Sequence, residues 1–146
     1  MDKNTLLRER ETAMLKAKDI MTKNALTVKK GTLIYEAVEV MAKNCITGIP
    51  VVEDDMTLVG ILTEKDVLNL FYAHEHEKNK TVNDFMTRPA VHFDRNTDLR
   101  DICDCLKNSN FRRVPVTSRG KVVGVVSRAD ILEYILQLKR EVAGTA

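Results

Sequence analysis

Two short segments of this chain place a hydroxyl and a carboxylate three residues apart: Thr63-Glu64-Lys65-Asp66 and Ser127-Arg128-Ala129-Asp130. A carboxylate only accepts hydrogen bonds, and a ribose 2′,3′-diol presents two adjacent donors. Asp66 or Asp130 can therefore take a diol in bidentate, charge-assisted fashion. Thr63 and Ser127 stand at a predicted strand-to-helix junction, where hydroxyls and the free amides of a helix N-terminus form a seat for phosphate. The same spacing makes a capping box with aspartate in place of glutamate. Capping and ribose binding are thus competing but compatible readings, because a ligand needs only the lone pairs that the cap leaves over.

Cations flank these motifs. Arg112 and Arg113 precede one Pro-Val pair, where Thr47 and Gly48 precede the other. Arginine forks match phosphate oxygens, so the two places differ in phosphate-binding capacity. Lys65 and Arg128, inside the motifs, are further candidates; each of these cations taken singly also reads as an exposed surface charge. An adenine ring needs apolar walls and backbone amides, which Ala25-Leu26 with Ile49-Pro50, and Ala90-Val91 with Val114-Pro115, can supply.

The elements that must position these residues occur twice. Asp19-Ile20-Met21-Thr22 returns as Asp84-Phe85-Met86-Thr87, Thr32 as Thr97, and Pro50-Val51 as Pro115-Val116, all at an offset of 65. The offset falls to 64 for Val59-Gly60 and Val123-Gly124, for Thr63 and Ser127, and for Asp66 and Asp130. The lost residue lies between two polar, turn-like segments, 53–57 and 118–121, where a hairpin loop changes length cheaply. Self-similarity at such a period is the mark of a duplicated unit.

Each copy reads as β-α-β-β-α. A short strand lies near Leu26-Thr27-Val28 and near Val91-His92-Phe93. Thr32 and Thr97 stand where an N-cap is expected. Apolar residues at helical spacing follow: Leu33, Ile34, Ala37, Val38 and Met41, then Leu99, Ile102, Cys103 and Leu106. Ile49-Pro50-Val51-Val52 and Val114-Pro115-Val116 are strands that tolerate proline near the start. Residues 58–62 and 122–126 are buried strands running into second helices at 64–72 and 128–139. The expected organisation is an amphipathic N-terminal helix over 1–16 carrying Leu6, Leu7, Met14 and Leu15, a first repeat over 17–73, a polar linker over 74–80, a second repeat over 81–140 and a tail over 141–146. The expected fold class is α/β (α+β), with the two repeats packed sheet to sheet about a pseudo-two-fold axis.

Other chemistry finds little support. The chain has 44% hydrophobic and 30% charged residues and a net charge of +2, which gives no global electrostatic case for nucleic acid or membrane. No apolar run of about 18 residues is present to span a bilayer, and the start lacks a hydrophobic signal segment. Three cysteines without framework spacing imply reduced thiols and a cytoplasmic setting. His74-Glu75-His76-Glu77 reads as a solvated linker rather than a metal site, because residues two apart on a helix face different ways. Cys103 reads as core packing. No P-loop, nucleophile elbow or His-carboxylate cluster appears, so an enzyme has almost no residue-level support.

The repeat resembles a pair of cystathionine-β-synthase (CBS) domains. The resemblance rests on Asp-x-Met-Thr, on the hydrophobic-Pro-Val strand and on Gly-x-x-Thr/Ser-x-x-Asp, each present twice, in order, over about residues 17–139. It implies a cleft-bearing regulatory module, commonly dimerising into a flat disc, that binds AMP, ADP, ATP, S-adenosylmethionine or a related adenosyl ligand and acts on a partner protein whose identity stays open. It also implies a phosphate role for the basic residues before the Pro-Val strand, Arg112 and Arg113. A homodimer built from the helices of both repeats is expected, with the exposed stripes of 33–44 and 98–108 as its contact surface. A ligand-independent dimerisation scaffold and a nucleic-acid-binding regulator are the alternatives, the latter disfavoured by the charge and by an aromatic content of 5%.

Overall fold

The computed structural model of the protein describes residues 2–5 and 15–144. Leu6, Leu7 and Met14 of the expected N-terminal helix lie outside the described residues. The predicted alternation of short apolar runs and amphipathic stretches is realised as α1 (Ala17–Ile20), β1 (Val28–Lys29), α2 (Ile34–Lys43), β2 (Gly48–Val52), β3 (Leu58–Thr63), α3 (Glu64–Leu68), β4 (Phe93–Asp94), α4 (Leu99–Asn108), β5 (Arg113–Ser118), β6 (Lys121–Ser127) and α5 (Arg128–Gly144). A 3-10 helix at Asn69–Tyr72 continues α3, and another lies at Val82–Asp84.

The strands make two three-stranded sheets, ordered β1-β2-β3 and β4-β5-β6. In each, the first strand runs parallel to the second, as a crossover through a helix requires. β2 and β3 are antiparallel, pairing Ile49 with Leu62 and Val51 with Gly60. The loop between β5 and β6 is the two residues Arg119-Gly120, both in the left-handed region at φ 53° and 79°. That is the type I′ geometry that matches strand twist, and it explains the glycine there.

The chain divides into two units that do not follow the order of the repeats. One comprises Ala25–Val91 with Gly120–Val122 and holds Asp66. The other comprises Met1–Asn24, His92–Arg119 and Val123–Ala146 and holds Asp130. Each has its own buried cluster. In the Asp66 unit, Ile34, Ala37, Met41, Ile49, Val51 and Leu62 close over Val82, with Phe85 and Met86 packed alongside. In the Asp130 unit, Ile102, Leu106, Val114, Val116 and Val126 close over Ala17, with Ile20 and Met21 alongside. The Asp-x-Met-Thr segment of each repeat is therefore a core component of the unit built mainly from the other repeat.

This exchange settles how the first helix of each repeat begins. Thr32 and Thr97 do not cap it: the N-cap residues are Leu33, which makes no side-chain bond, and Asp98, whose carboxylate accepts from the Arg100 amide at 2.9 Å. The first helical amide is satisfied instead by the incoming segment, Ile34 donating to the Lys80 carbonyl and Leu99 to the Leu15 carbonyl. Thr32 and Thr97 offer their carbonyls to the Val82 and Ala17 amides, at 2.8 and 2.9 Å. A backbone carbonyl does what a side-chain cap does elsewhere.

The α4 stripe also differs from expectation at one residue. Leu99, Ile102 and Leu106 are buried and Cys105 packs partly against them, but Cys103 is exposed. Cys103 is a third of a turn round from Ile102, whereas Cys105 lies three residues on and shares its face.

Candidate functional site

Each position of the Asp-x-Met-Thr motif has its own task. Asp19 and Asp84 turn back to accept from the Lys16 and Thr81 amides at 2.8 and 2.9 Å, closing the helical turn. Met21 and Met86 enter the clusters. Thr22 and Thr87 then form two-bond bridges to the third strand of each sheet. Thr87 exchanges amide and carbonyl bonds with Ile61 at 2.8 and 3.0 Å, and Thr22 does so with Val125 at the same two distances.

The bridge is possible because Gly60 and Gly124 stand next to those strand residues. A Cβ on Gly60 would lie 2.7 Å from the Thr87 carbonyl oxygen and 2.9 Å from the Met86 sulfur; on Gly124 it would lie 2.8 Å from both the Thr22 carbonyl oxygen and the Met21 sulfur. Close backbone approach is what requires glycine here.

With the bridge made, each threonine hydroxyl reaches the aspartate of the capping motif. Thr87 Oγ1 donates to Asp66 Oδ1 at 2.9 Å, and Thr22 Oγ1 to Asp130 Oδ1 at 3.2 Å. The other carboxylate oxygen closes the capping box: Asp66 Oδ2 accepts from the Thr63 amide and Asp130 Oδ2 from the Ser127 amide, both at 2.8 Å. Thr63 Oγ1 and Ser127 Oγ accept in return from the Asp66 and Asp130 amides at 3.3 and 3.1 Å. The capping reading is realised in both copies. Ser127 Oγ also donates to Asp130 Oδ2 at 3.0 Å. Both aspartates are only partly buried, and a carboxylate has about four acceptor positions. Among the described residues, two are filled on Asp66 and three on Asp130.

The predicted site residues divide between the units. Ala25, Leu26, Ile49, Pro50, Thr63, Lys65, Asp66, Ala90 and Val91 belong to the Asp66 unit; Arg112, Arg113, Val114, Pro115, Ser127, Arg128 and Asp130 belong to the other. Ala90-Val91, grouped with Val114-Pro115 on sequence, thus fall in the unit of Asp66. Ile49, Pro50, Val114 and Pro115 are buried strand residues. Leu26 and Val91 keep 47% and 44% of their surface exposed and offer apolar walls. Arg128 is committed elsewhere: its Nη2 donates to the Leu106 and Ser109 carbonyls at 3.0 and 2.8 Å, covering the end of α4. Lys65 and Arg112 are exposed. Arg113 is half-buried, and its Nε is buried without an acceptor. The threonines Thr22 and Thr87 entered the sequence reading only as part of the repeated motif, which identifies a duplication and does not point to the aspartates they bond.

No group of three or more His, Cys, Asp or Glu residues is placed to hold a metal among the described residues. Nor is any helix among them long and apolar enough to cross a membrane.

A duplicated three-stranded sheet with a capped aspartate after its third strand defines a two-repeat module. The model of the CBS domain matches residues 17–73 and 82–137. The chain belongs to the CBS-domain family. It is 30% identical over 134 residues to YlbB of Bacillus subtilis, covering 91% of this chain and 89% of that one. The structure of CBSX2, an Arabidopsis thaliana protein, in complex with AMP superposes with a TM-score of 0.74 at 31% identity, over 85% of this chain and 98% of that one. The CBS domain pair of protein MJ0100, in complex with 5′-methylthioadenosine and S-adenosyl-L-methionine, superposes with a TM-score of 0.68 at 27% identity, over 84% and 96%. The chain spans 32% to 52% of the length of the first curated relatives it matches, among them full-length CBSX2.

Proposed function

We propose that this chain is a cytoplasmic regulatory module, not a catalyst, that binds an adenosine-containing ligand through Asp66 and Asp130 and passes its occupancy to a partner protein. AMP, ADP, ATP and S-adenosylmethionine are the candidate ligands. The observation that carries this reading is the pair of aspartates, each fixed by amide and hydroxyl donors yet left with unfilled acceptor positions at a partly exposed helix start. The ligands of CBSX2 and MJ0100 share the adenosyl group that such a carboxylate would hold by its ribose. A thermal-shift screen of the four candidates and adenosine tests it: a ligand at about 100 times its Kd adds roughly 2.7 kcal/mol. Asp66→Ala and Asp130→Ala should each weaken adenosine and AMP alike, by about 1.5 kcal/mol or more, the range for a hydrogen bond to a charged group. If neither change affects any adenosyl ligand in folded protein, the aspartates serve only as caps, and the ligand-independent scaffold becomes the better reading. A role in reading nucleic acid has no comparable support.

We also propose a homodimer. Among the described residues, the large apolar side chains left most open are not on the first helices, as the stripes suggested, but on the second: Leu68, Phe71 and Tyr72 at 63%, 83% and 73% exposure in one unit, and Leu132, Ile135 and Leu136 in the other. Surfaces of this kind mark interfaces. Sedimentation equilibrium at micromolar concentration should give twice the chain mass, and Phe71→Lys should lower it toward the monomer. A monomer for the unaltered chain refutes the assignment.

A further inference from the structure

We propose that Thr87 and Thr22 are positioning residues for nucleoside binding: each aims the carboxylate that would receive the ribose diol, Thr87 aiming Asp66 and Thr22 aiming Asp130. The inference rests on the ribose reading above and adds to it residues that the Gly-x-x-Thr/Ser-x-x-Asp motif does not contain.

The geometry carries the argument. A carboxylate that only capped its helix would be held through one oxygen and free to turn about its last side-chain torsion, a broad and soft one. Here the second oxygen is held as well, by a hydroxyl from a segment 21 residues away at Asp66 and 108 residues away at Asp130. The hydroxyls do not get there by chance of rotamer. Each threonine is fixed by two backbone bonds to the third strand, and the glycine beside that strand residue admits it. The arrangement occurs in both units with the partners in the same register, although their segments come from opposite repeats. Two anchored oxygens define the carboxylate plane, and the unfilled acceptor positions then point in fixed directions. A planar acceptor whose orientation is set beforehand binds a two-donor diol without losing side-chain freedom at that moment. Thr87 and Thr22 are exposed at the surface, so the bond to aspartate is not needed to satisfy a buried hydroxyl.

The test uses Thr87→Val, which keeps the β-branched shape and the backbone bridge but removes the donor, in an Asp130→Ala background that leaves one aspartate; Thr22→Val is examined likewise with Asp66→Ala. Calorimetry with AMP and with 2′,3′-dideoxyadenosine monophosphate reads the diol separately from the rest of the ligand. The expected result is that Thr87→Val weakens AMP about tenfold, a loss of roughly one hydrogen bond to a charged group, leaves the dideoxy compound unchanged, and is rescued by Thr87→Ser. Equal weakening of both ligands assigns Thr87 a merely structural role and overturns the inference. So does unaltered AMP binding while Asp66→Ala abolishes it, and that outcome leaves the ribose reading standing. If Asp66→Ala itself has no effect on AMP, the ribose reading fails and this inference fails with it.

Discussion

Gly60→Ala and Gly124→Ala should each cost about 3 kcal/mol of folding stability. The added methyl carbon would stand 2.7 Å from a carbonyl oxygen at Gly60 and 2.8 Å at Gly124. The methionine sulfur on the same side can swing away, but the carbonyl cannot, because it is tied to Ile61 or Val125 by a two-bond bridge. Over-packing of this kind costs about 1–3 kcal/mol, and loosening the bridge adds about 1 kcal/mol for each net hydrogen bond lost. The backbone at neither glycine has positive φ, so space alone makes the difference. Gly31→Ala is the control. Its methyl meets nothing within 4 Å, and the change should stay within about 0.5 kcal/mol. Thermal unfolding should show the contrast as a drop of roughly 10 °C against little change. A Gly60→Ala protein as stable as the parent would mean that the Asp-x-Met-Thr segment is not seated on the strand as described.

Arg112→Ala combined with Arg113→Ala should weaken phosphorylated ligands by about 1.5–3 kcal/mol, the range for hydrogen bonds to charged groups, and leave adenosine nearly untouched. The two arginines lead into β5, where Arg113 Nε is buried without an acceptor. A buried donor left unmade costs about 1–3 kcal/mol, and a phosphate oxygen would offset that cost while matching the guanidinium fork. Arg112 is exposed, so its share should shrink as salt rises to 1 M, where the Debye length falls to about 3 Å. The share of Arg113, shielded from solvent, should persist. Calorimetric titration of AMP, ATP and adenosine at two ionic strengths separates these contributions. Equal loss for adenosine and AMP would show that the pair supports the fold of β5 and not a phosphate.

The repeat, the strands and the second helices were legible because they depend on local pattern: apolar runs, period-3.6 stripes, and a Gly-x-x-Thr/Ser-x-x-Asp segment that caps its own helix. What sequence missed depends on partners far along the chain. Thr32 and Thr97 looked like N-caps by residue type, yet the first helical amides are taken by the distant Lys80 and Leu15 carbonyls, and next to Thr97 it is Asp98 that caps. Cys103 looked buried because its neighbour Ile102 is. Arg128 looked available because its acceptors, the Leu106 and Ser109 carbonyls, are about twenty residues earlier. The aspartates were legible as caps of their own helices; the threonines that bond to them were visible only as part of a repeated word.

The crossing of the Asp-x-Met-Thr segments also sets an order of events during synthesis. Residues 25–91 are continuous, and the Thr87 bond to Asp66 closes a separation of only 21 residues. The matching bond from Thr22 to Asp130 spans 108. Closing the longer loop costs about 1.4 kcal/mol more in chain entropy, and it cannot close until β6 has left the ribosome. Ala17–Thr22 are thus made before the strands of either unit, yet are seated only after β6. Until then Ala17, Ile20 and Met21, three apolar side chains destined for a core, have nowhere to go, and a nascent chain must carry them uncovered while the Asp66 unit assembles ahead of them.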